Sequence, residues 1–395
     1  MGGKWEPAAR AHVPPFEVMR ILKRVEELRA GGRDVISLCA GEPSGGAPAA
    51  VQARAAELHS SANEFTYTPS LGISQLREAI AGHYKNWYDI DVDPAAVAVT
   101  TGSSGAFVLA FLAAFNPGDR VVLTRPGYPA YRNLLRTLGI DVVEIDCGPE
   151  TDFQPTVAAL AEVHEQGPIR GIVLASPANP TGTMISEARL RELVAWCHAR
   201  GVRIVSDEIY HGITYTSGDH PRGVCVANLD PHAIIVSSFS KYWGMTGWRI
   251  GWMIMPEELR SAIDALAGNV ALSPPSPAQG AVLAAFSPEA YDEADARVAE
   301  LARVRQIALD GAPRLGWGPI APADGAFYLY GAVPLGDYED SSAWAAALLE
   351  EAGVALVPGS DFDGANGGNF VRLSFAAGAE AVAGALERIE AFSRR

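Results

Sequence analysis

The chain has 395 residues, 48% of them apolar and 19% charged, an ordinary globular balance with length enough for two or three domains, or a large domain with a smaller one attached. Thirty-one basic residues against 46 acidic ones leave a formal net charge of −15, a field that repels phosphate backbones and anionic membrane surfaces, so neither nucleic acid nor membrane is an expected partner. The four cysteines, Cys39, Cys147, Cys197 and Cys225, form no C-x-x-C pair, which argues against a zinc ribbon or a dense disulfide framework and fits a reducing compartment.

At the N-terminus no apolar stretch reaches signal-peptide length. The longest apolar run, Ala106 to Phe115, has ten residues, half of the roughly 20 that a membrane span requires; a cytoplasmic protein is expected. Further along, Leu76, Ile80, Tyr84 and Trp87 recur at helical spacing. From about residue 96, short β-branched runs alternate with helical patterns. Strands are expected at Val97 to Thr100, Arg120 to Thr124, Asp141 to Ile145, Arg170 to Ala175, Val202 to Ser206 and Ala233 to Ser237. Mainly apolar strands separated by helices predict an α/β fold with a buried, chiefly parallel sheet covered on both faces. One covering helix is read from Leu190, Leu193, Val194 and Cys197, between Ser186 and Gly201. Beyond Pro277 the texture changes: a long helix from about Pro288 to Asp310, strands near Phe327 to Tyr330, Ala355 to Val357 and Phe370 to Phe375, and a final helix. That order predicts a smaller α+β domain.

P-loop, dinucleotide, zinc-hydrolase and nucleophile-elbow signatures are absent, and the eight histidines show no metal-ligand spacing, so no metal site is expected. Instead, polar clusters follow the predicted strands, where open α/β sheets take their ligands. Thr101-Gly102-Ser103-Ser104-Gly105 opens an apolar helix and could receive an anion on its free N–H groups; a strand-to-helix turn wants glycine in any case. Ser176 to Gly182 fixes Asn179 between two prolines, which a turn alone would also explain. The pair Asp207-Glu208 ends an apolar strand, calling for a cationic or protonated ligand group, or for a helix to cap. In Ser237 to Arg249, Lys241 sits among aromatic residues with Arg249 eight positions on; burial and that cation both lower a lysine pKa towards a usable nucleophile. Arg372, inside an alternating strand, could fork onto a carboxylate or make a structural ion pair. A phosphate cradle, a carboxylate for a protonated ring nitrogen, an activated lysine and an arginine for an α-carboxylate are together what pyridoxal phosphate chemistry on amino acids demands.

On these residues, and above all on SSFSKYWGMTGWRIGW, the chain resembles the fold-type I, class I/II aminotransferases dependent on pyridoxal 5′-phosphate, from about Pro14 to the last helix. The resemblance implies a seven-stranded-type, mainly parallel sheet. It divides the chain into residues 1–45 (an arm and part of the small domain), 46–287 (a large cofactor-binding domain) and 288–395 (a small C-terminal domain). It assigns Lys241 to the Schiff base and Asp207 to the pyridine nitrogen. Tyr210 and Asn179 would bond the ring oxygen, and Tyr128 would stack on the ring. Ser103, Ser104, Ser238 and Arg249 would hold the phosphate, with Tyr67 reaching it from the neighbouring subunit of a homodimer. Arg372, with Asn179 and the Gly41 backbone, would clamp the substrate α-carboxylate. The implied reaction is a ping-pong transfer of an amino group between an L-amino acid and a 2-oxo acid. Two departures point to a neutral substrate side chain. Ser44-Gly45-Gly46-Ala47 follows Gly41-Glu42-Pro43 where many relatives carry an aspartate and an aromatic residue. Ser104 stands where some members acting on acidic substrates place a lysine. A C–S β-lyase or related lyase would use nearly the same residues, and a non-catalytic regulator could keep the fold and the cofactor.

Overall fold

In the computed structural model, which describes residues 5–61, 64–215 and 220–394, the chain enters through α1 (Glu17–Ala30), the short β1 (Ile36–Ser37), α2 (Ala49–Ser60) and α3 (Ser74–Tyr88). Residues 1–4 of the arm lie outside the described residues. An alternating series follows: β2 (Val97–Thr100), α4 (Gly102–Ala114), β3 (Arg120–Arg125), α5 (Pro129–Thr137), β4 (Asp141–Asp146), α6 (Val157–Glu165), β5 (Gly171–Ala175), α7 (Glu187–His198) and β6 (Arg203–Asp207). Then come β7 (Ile234–Ser238), β8 (Gly251–Ile254), α8 (Arg260–Val270), α9 (Ser276–Val282) and α10 (Pro288–Gly311). The last part holds β9 (Tyr328–Ala332), α11 (Ser341–Ala347), β10 (Val354–Ala355), β11 (Val357–Pro358), β12 (Phe370–Ser374) and α12 (Ala379–Ser393).

The central sheet has seven strands in the order β2-β8-β7-β6-β5-β3-β4. β3 to β7 run parallel, as the apolar runs predict, whereas β8 is antiparallel to both β2 and β7. This strand is the one the sequence pattern misses. It lies within the aromatic, glycine-rich stretch around Arg249, and four residues are too few to show a period. Alternation along the strands feeds two cores. Ile204 and Trp252 pack on one face with Tyr84 and Trp243; Val205, Val236 and Met253 pack on the other with Phe107 and Tyr131. A residue's parity therefore decides its surroundings.

Local signals set several boundaries as expected. Ser186 caps α7 by accepting the Arg189 N–H at 3.3 Å, and Ser287 caps α10 ahead of Pro288, the usual serine and first-turn proline of a helix start. After α10 the chain forms a three-stranded antiparallel sheet, β11-β12-β9. β1, near the N-terminus, pairs with β10 through Ile36 and Val354, so the two ends of the chain are packed together. Among the described residues no helix is long and apolar enough to cross a membrane, and all four cysteines are free and buried.

Candidate active site

The carboxyl ends of β5, β6 and β7, the first turns of α4 and α5, the Gly41 turn and β12 surround one cavity of about 530 Å³, a size usual for small-molecule sites. Gly41, Ser103, Ser104, Tyr128, Asn179 and Asp207 line it, together with Tyr210, Lys241, Arg249 and Arg372. The two remaining expected residues do not. Ser238 is buried behind the wall, its Oγ accepting the Ser240 N–H at 3.0 Å. Tyr67 stands on the surface, 81% exposed.

Asp207 ends β6 on the face shared with Tyr131. The Tyr131 hydroxyl donates to Oδ2, and the Ile209 N–H donates to Oδ1 at 3.0 Å. The carboxylate thus closes a turn, and no helix follows for it to cap. Burial raises its pKa to about 6, opposed by the two hydrogen bonds and by the charge of Lys241. The sequence reading treats Asp207 and Glu208 as a pair, but the strand's alternation parts them: Glu208 points into the opposite core, where Ser206 and the Val226 N–H meet it.

Lys241 follows β7 in a loop whose Phe239, Tyr242, Trp243 and Met245 are buried, which leaves the lysine facing the cavity. Its Nζ donates to the Gly41 carbonyl and lies 5.9 Å from the centre of the Tyr210 ring. Burial brings its pKa down to about 8; Glu42 and Asp207 oppose that fall, and Arg372 and Arg249 add to it. Near neutral pH such an amine can both take and release a proton. The Tyr210 hydroxyl meets that of Tyr328 at 2.8 Å, and burial keeps its phenol pKa well above 10, so it is a hydrogen-bond donor at neutral pH.

Arg372 leaves β12 with Nη1 donating to Asn179 Oδ1 at 2.9 Å and Nη2 to the Cys39 carbonyl at 2.8 Å. Its guanidinium lies between the rings of Tyr328 and Phe362, 4.5 and 4.9 Å from their centres. Both acceptors are neutral, and among the described residues Nε has no partner. A buried cation bonded only to neutral oxygens is costly, so this fork is arranged for an anion and not for a structural ion pair.

The opposite end is built from backbone. Thr101 puts no side-chain cap on α4, which leaves first-turn N–H groups open beside Ser103 and Ser104. Gly102 has φ +66°, and a Cβ there would fall 2.6 Å from Arg249 Nη2; one on Gly251 would fall 2.9 Å from the Ser103 nitrogen. Glycines at these two positions let the guanidinium and the helix N-terminus converge, the elements of a phosphate site.

Sequence reasoning missed Tyr131, Tyr328, Phe16 and Phe362. Only Tyr131 left a signal, being three residues after Tyr128 and so on the same side of α5. Tyr128, 37% exposed into the cavity, has Phe16 stacked on it at 6.0 Å and 14°. With an anion cradle at one end, an arginine fork bonded to neutral oxygens at the other, and a carboxylate, an amine and an exposed aromatic face between them, the residues fit pyridoxal phosphate with an amino acid.

Comparison with known proteins agrees. Residues 33–389 match the model of the family described as aminotransferase class I and II. The valine-pyruvate aminotransferase of Mycobacterium tuberculosis is 50% identical over 384 residues, 97% of either chain. An aspartate aminotransferase of Geobacillus stearothermophilus is 33% identical over 390 residues, again 97% of each. Among solved structures, an aminotransferase from M. tuberculosis superposes with a TM-score of 0.94 at 48% identity, covering 98% of this chain and 99% of that one. The aspartate aminotransferase of Thermus thermophilus with maleate gives 0.90 at 30% identity, covering 99% of each.

Proposed function

Because the chain belongs to the class I and II aminotransferases, pyridoxal-phosphate-dependent enzymes that move an amino group between an amino acid and a 2-oxo acid, we propose that Lys241 carries the cofactor and that the site serves amino acids with neutral side chains. The observation behind this reading is the meeting of Lys241, Asp207, Arg249 and Arg372 in one cavity. When bound, pyridoxal phosphate supplies an aldehyde that condenses with amines and a ring that accepts the electron pair left when a bond at Cα breaks.

The chain's own residues have the following parts. Arg249, the amides of Ser103 and Ser104, and the Ser104 hydroxyl would hold the phosphate; Ser238, expected to join them, stays outside the lining. Tyr128 covers the ring face, and Asn179 and Tyr210 donate to the ring oxygen. Asp207, steadied by Tyr131, accepts a hydrogen bond from the protonated ring nitrogen. Arg372 takes the substrate α-carboxylate, with Asn179 and the Gly41 backbone beside it, and Lys241 carries the proton that leaves Cα. Residues 46–287 would make up the cofactor-binding domain, and residues 1–45 with 288–395 the smaller part.

A neutral side chain is supported by the cations lining the cavity. Among the described residues they are Lys241, Arg249 and Arg372, all already engaged, while Phe16, Val18 and Met19 add apolar surface. The relative named for valine and pyruvate points the same way. Mixing the cofactor-loaded enzyme with single amino acids and following the visible spectrum through one turnover tests this: neutral aliphatic amino acids should react faster than aspartate, and the reverse order overturns it. Lys241→Ala should abolish the visible absorbance of the lysine-bound cofactor and reduce turnover to background; an unchanged band with unchanged turnover overturns the assignment.

A homodimer is proposed as the working unit. Phe65, Tyr67, Val270 and Leu272 are 40–81% exposed, apolar surface for a second copy to cover, with Tyr67 of one protomer reaching the phosphate site of its partner. Full activity from a species that sediments as a monomer would contradict it. The free, buried cysteines support a cytoplasmic location, which fractionation of the native host checks.

A further inference from the structure

Directly behind Asp207 lies a second buried carboxylate for which the reaction has no use. Glu208 is 2% exposed and Asp207 5%, on opposite faces of the same strand end. Solvation and cations are both short on the Glu208 side. The space bounded by Tyr84, Tyr88, His211 and Trp252 amounts to about 10 Å³, room for one water at most. Arg222, the cation of the loop before Cys225, is already forked onto Asp295.

The groups around Glu208 are neutral donors and two imidazoles. From its own strand the Ser206 hydroxyl donates to Oε1 at 3.1 Å, and from the following loop the Val226 N–H does so at 2.9 Å. The Cys225 thiol is also in hydrogen-bonding reach. From β7, Ser237 reaches only the Glu208 backbone carbonyl. From α3 come the uncharged Tyr84 and Tyr88 and a second imidazole, His83, whose Nδ1 meets the Tyr291 hydroxyl at 2.8 Å and whose pKa burial lowers to about 3. Among the described residues Oε2 has no hydrogen-bond partner; the polar atom before it is His211 Nδ1, at 3.5 Å. That nitrogen is within 2.8 Å of the Tyr88 hydroxyl; on the other side of the ring Nε2 makes no hydrogen bond among the described residues, the backbone of Ser176 being the group that faces the ring. In the tautomer that keeps its proton on Nε2, Nδ1 has one lone pair, which the Tyr88 hydroxyl and Oε2 share. Two lone pairs facing each other repel; a proton on Oε2 removes the conflict. Adjacent buried carboxylates, moreover, do not both ionise without a cation for each.

We propose that Glu208 is held as the neutral carboxylic acid, its proton on Oε2 facing His211 Nδ1, so that Asp207 keeps the one negative charge at this end of β6. Glu208 is then a positioning residue: it satisfies the Ser206 and Val226 donors on the far face of the strand without placing a second anion behind the first. Burial acts in the same sense on both partners, raising the Glu208 carboxyl and lowering the His211 imidazole. The consequence for Asp207 rests on the role proposed for it above; the protonation of Glu208 does not.

Infrared spectra of the cofactor-loaded enzyme at pH 7, unlabelled and with ¹³C-glutamate, test the assignment. Expected is a protonated carboxylic-acid carbonyl band that moves with the glutamate label and is lost in Glu208→Gln. Its absence at pH 7 overturns the proposal, including the case in which His211 holds the proton as an imidazolium. Should Glu208→Gln fail to fold, His211→Asn changes what Oε2 faces and must shift the band; an unmoved band overturns the assignment. The amide variant also keeps the site neutral, so the midpoint of the pH titration of the visible absorbance should stay within about 0.3 unit of the parent. A shift of about one unit or more would mean that a charge had been removed, and would refute the neutral acid. Failure of the reading of Asp207 shows separately, as Asp207→Asn leaving spectrum and turnover unchanged.

Discussion

The two ends of the cavity are made in different ways. At the phosphate end Gly102 to Ser104 leave β2 and Arg249 enters β8, and these strands are paired, Thr100 opposite Gly251. Sheet register alone brings the parts together, and the contacts are backbone amides and glycines. At the carboxylate end Arg372 comes from the smaller sheet and bonds to Asn179 and Cys39, 193 and 333 residues away in sequence, between rings from β9 and from a loop. The first end inherits the rigidity of the central sheet. The second depends on how the smaller sheet docks, so the two should respond independently to substitution.

Arg372→Leu probes that independence most strongly. Loss of a forked, charge-assisted contact should lower kcat/KM for the amino acid on the order of a thousandfold, while cofactor affinity, read by fluorescence titration, stays within a factor of about two. Equal loss of cofactor binding would show that the ends are coupled.

Asp207→Asn tests the floor between the ends. Its carboxyl is raised to about 6 by burial, above the unfolded value, so the group is protonated in both states at low pH and costs nothing there. The cost sets in as pH rises through the unfolded and then the folded pKa. Above pH 6 the cofactor-free variant should exceed the parent in stability by about 3 kcal/mol, measured by urea unfolding between pH 4 and 8, although it loses turnover. A cofactor-free variant no more stable than the parent at pH 8 would mean that the Asp207 carboxyl is not raised by burial.

Gly102→Ala should have the smallest effect. The side chain meets a flexible Arg249 end at 2.6 Å and an unfavourable φ, strain of about 1–2 kcal/mol. Cofactor affinity should fall about tenfold, with KM for the amino acid unchanged once cofactor is saturating. A raised KM would again link the two ends.

How much of this was legible follows from sequence distance. Ser238, Lys241 and Arg249 lie within one continuous stretch, where residue types and spacing speak for themselves, and the chiefly parallel sheet is visible in its apolar runs. Tyr131 meets Asp207 across 76 residues and Tyr210 meets Tyr328 across 118; tyrosines in an apolar helix face and in a buried strand read as core until the partner is seen. β8 escaped because its four residues, too few to show a period, run straight on from the stretch that reads as a binding cluster.

By itself the sequence determined the α/β class, the positions of most strands along the chain, the cofactor chemistry and the residue types at the strand ends, because these depend on local periodicity and on side-chain chemistry within short stretches. Tertiary structure alone decided that Arg372 bonds to neutral oxygens, that Tyr131 holds Asp207, and that Asp207 and Glu208, adjacent in the chain, belong to different cores. The reason lies in the sheet: strand alternation sends neighbours to opposite faces, and what each then meets is set by elements folded against that face from far along the chain.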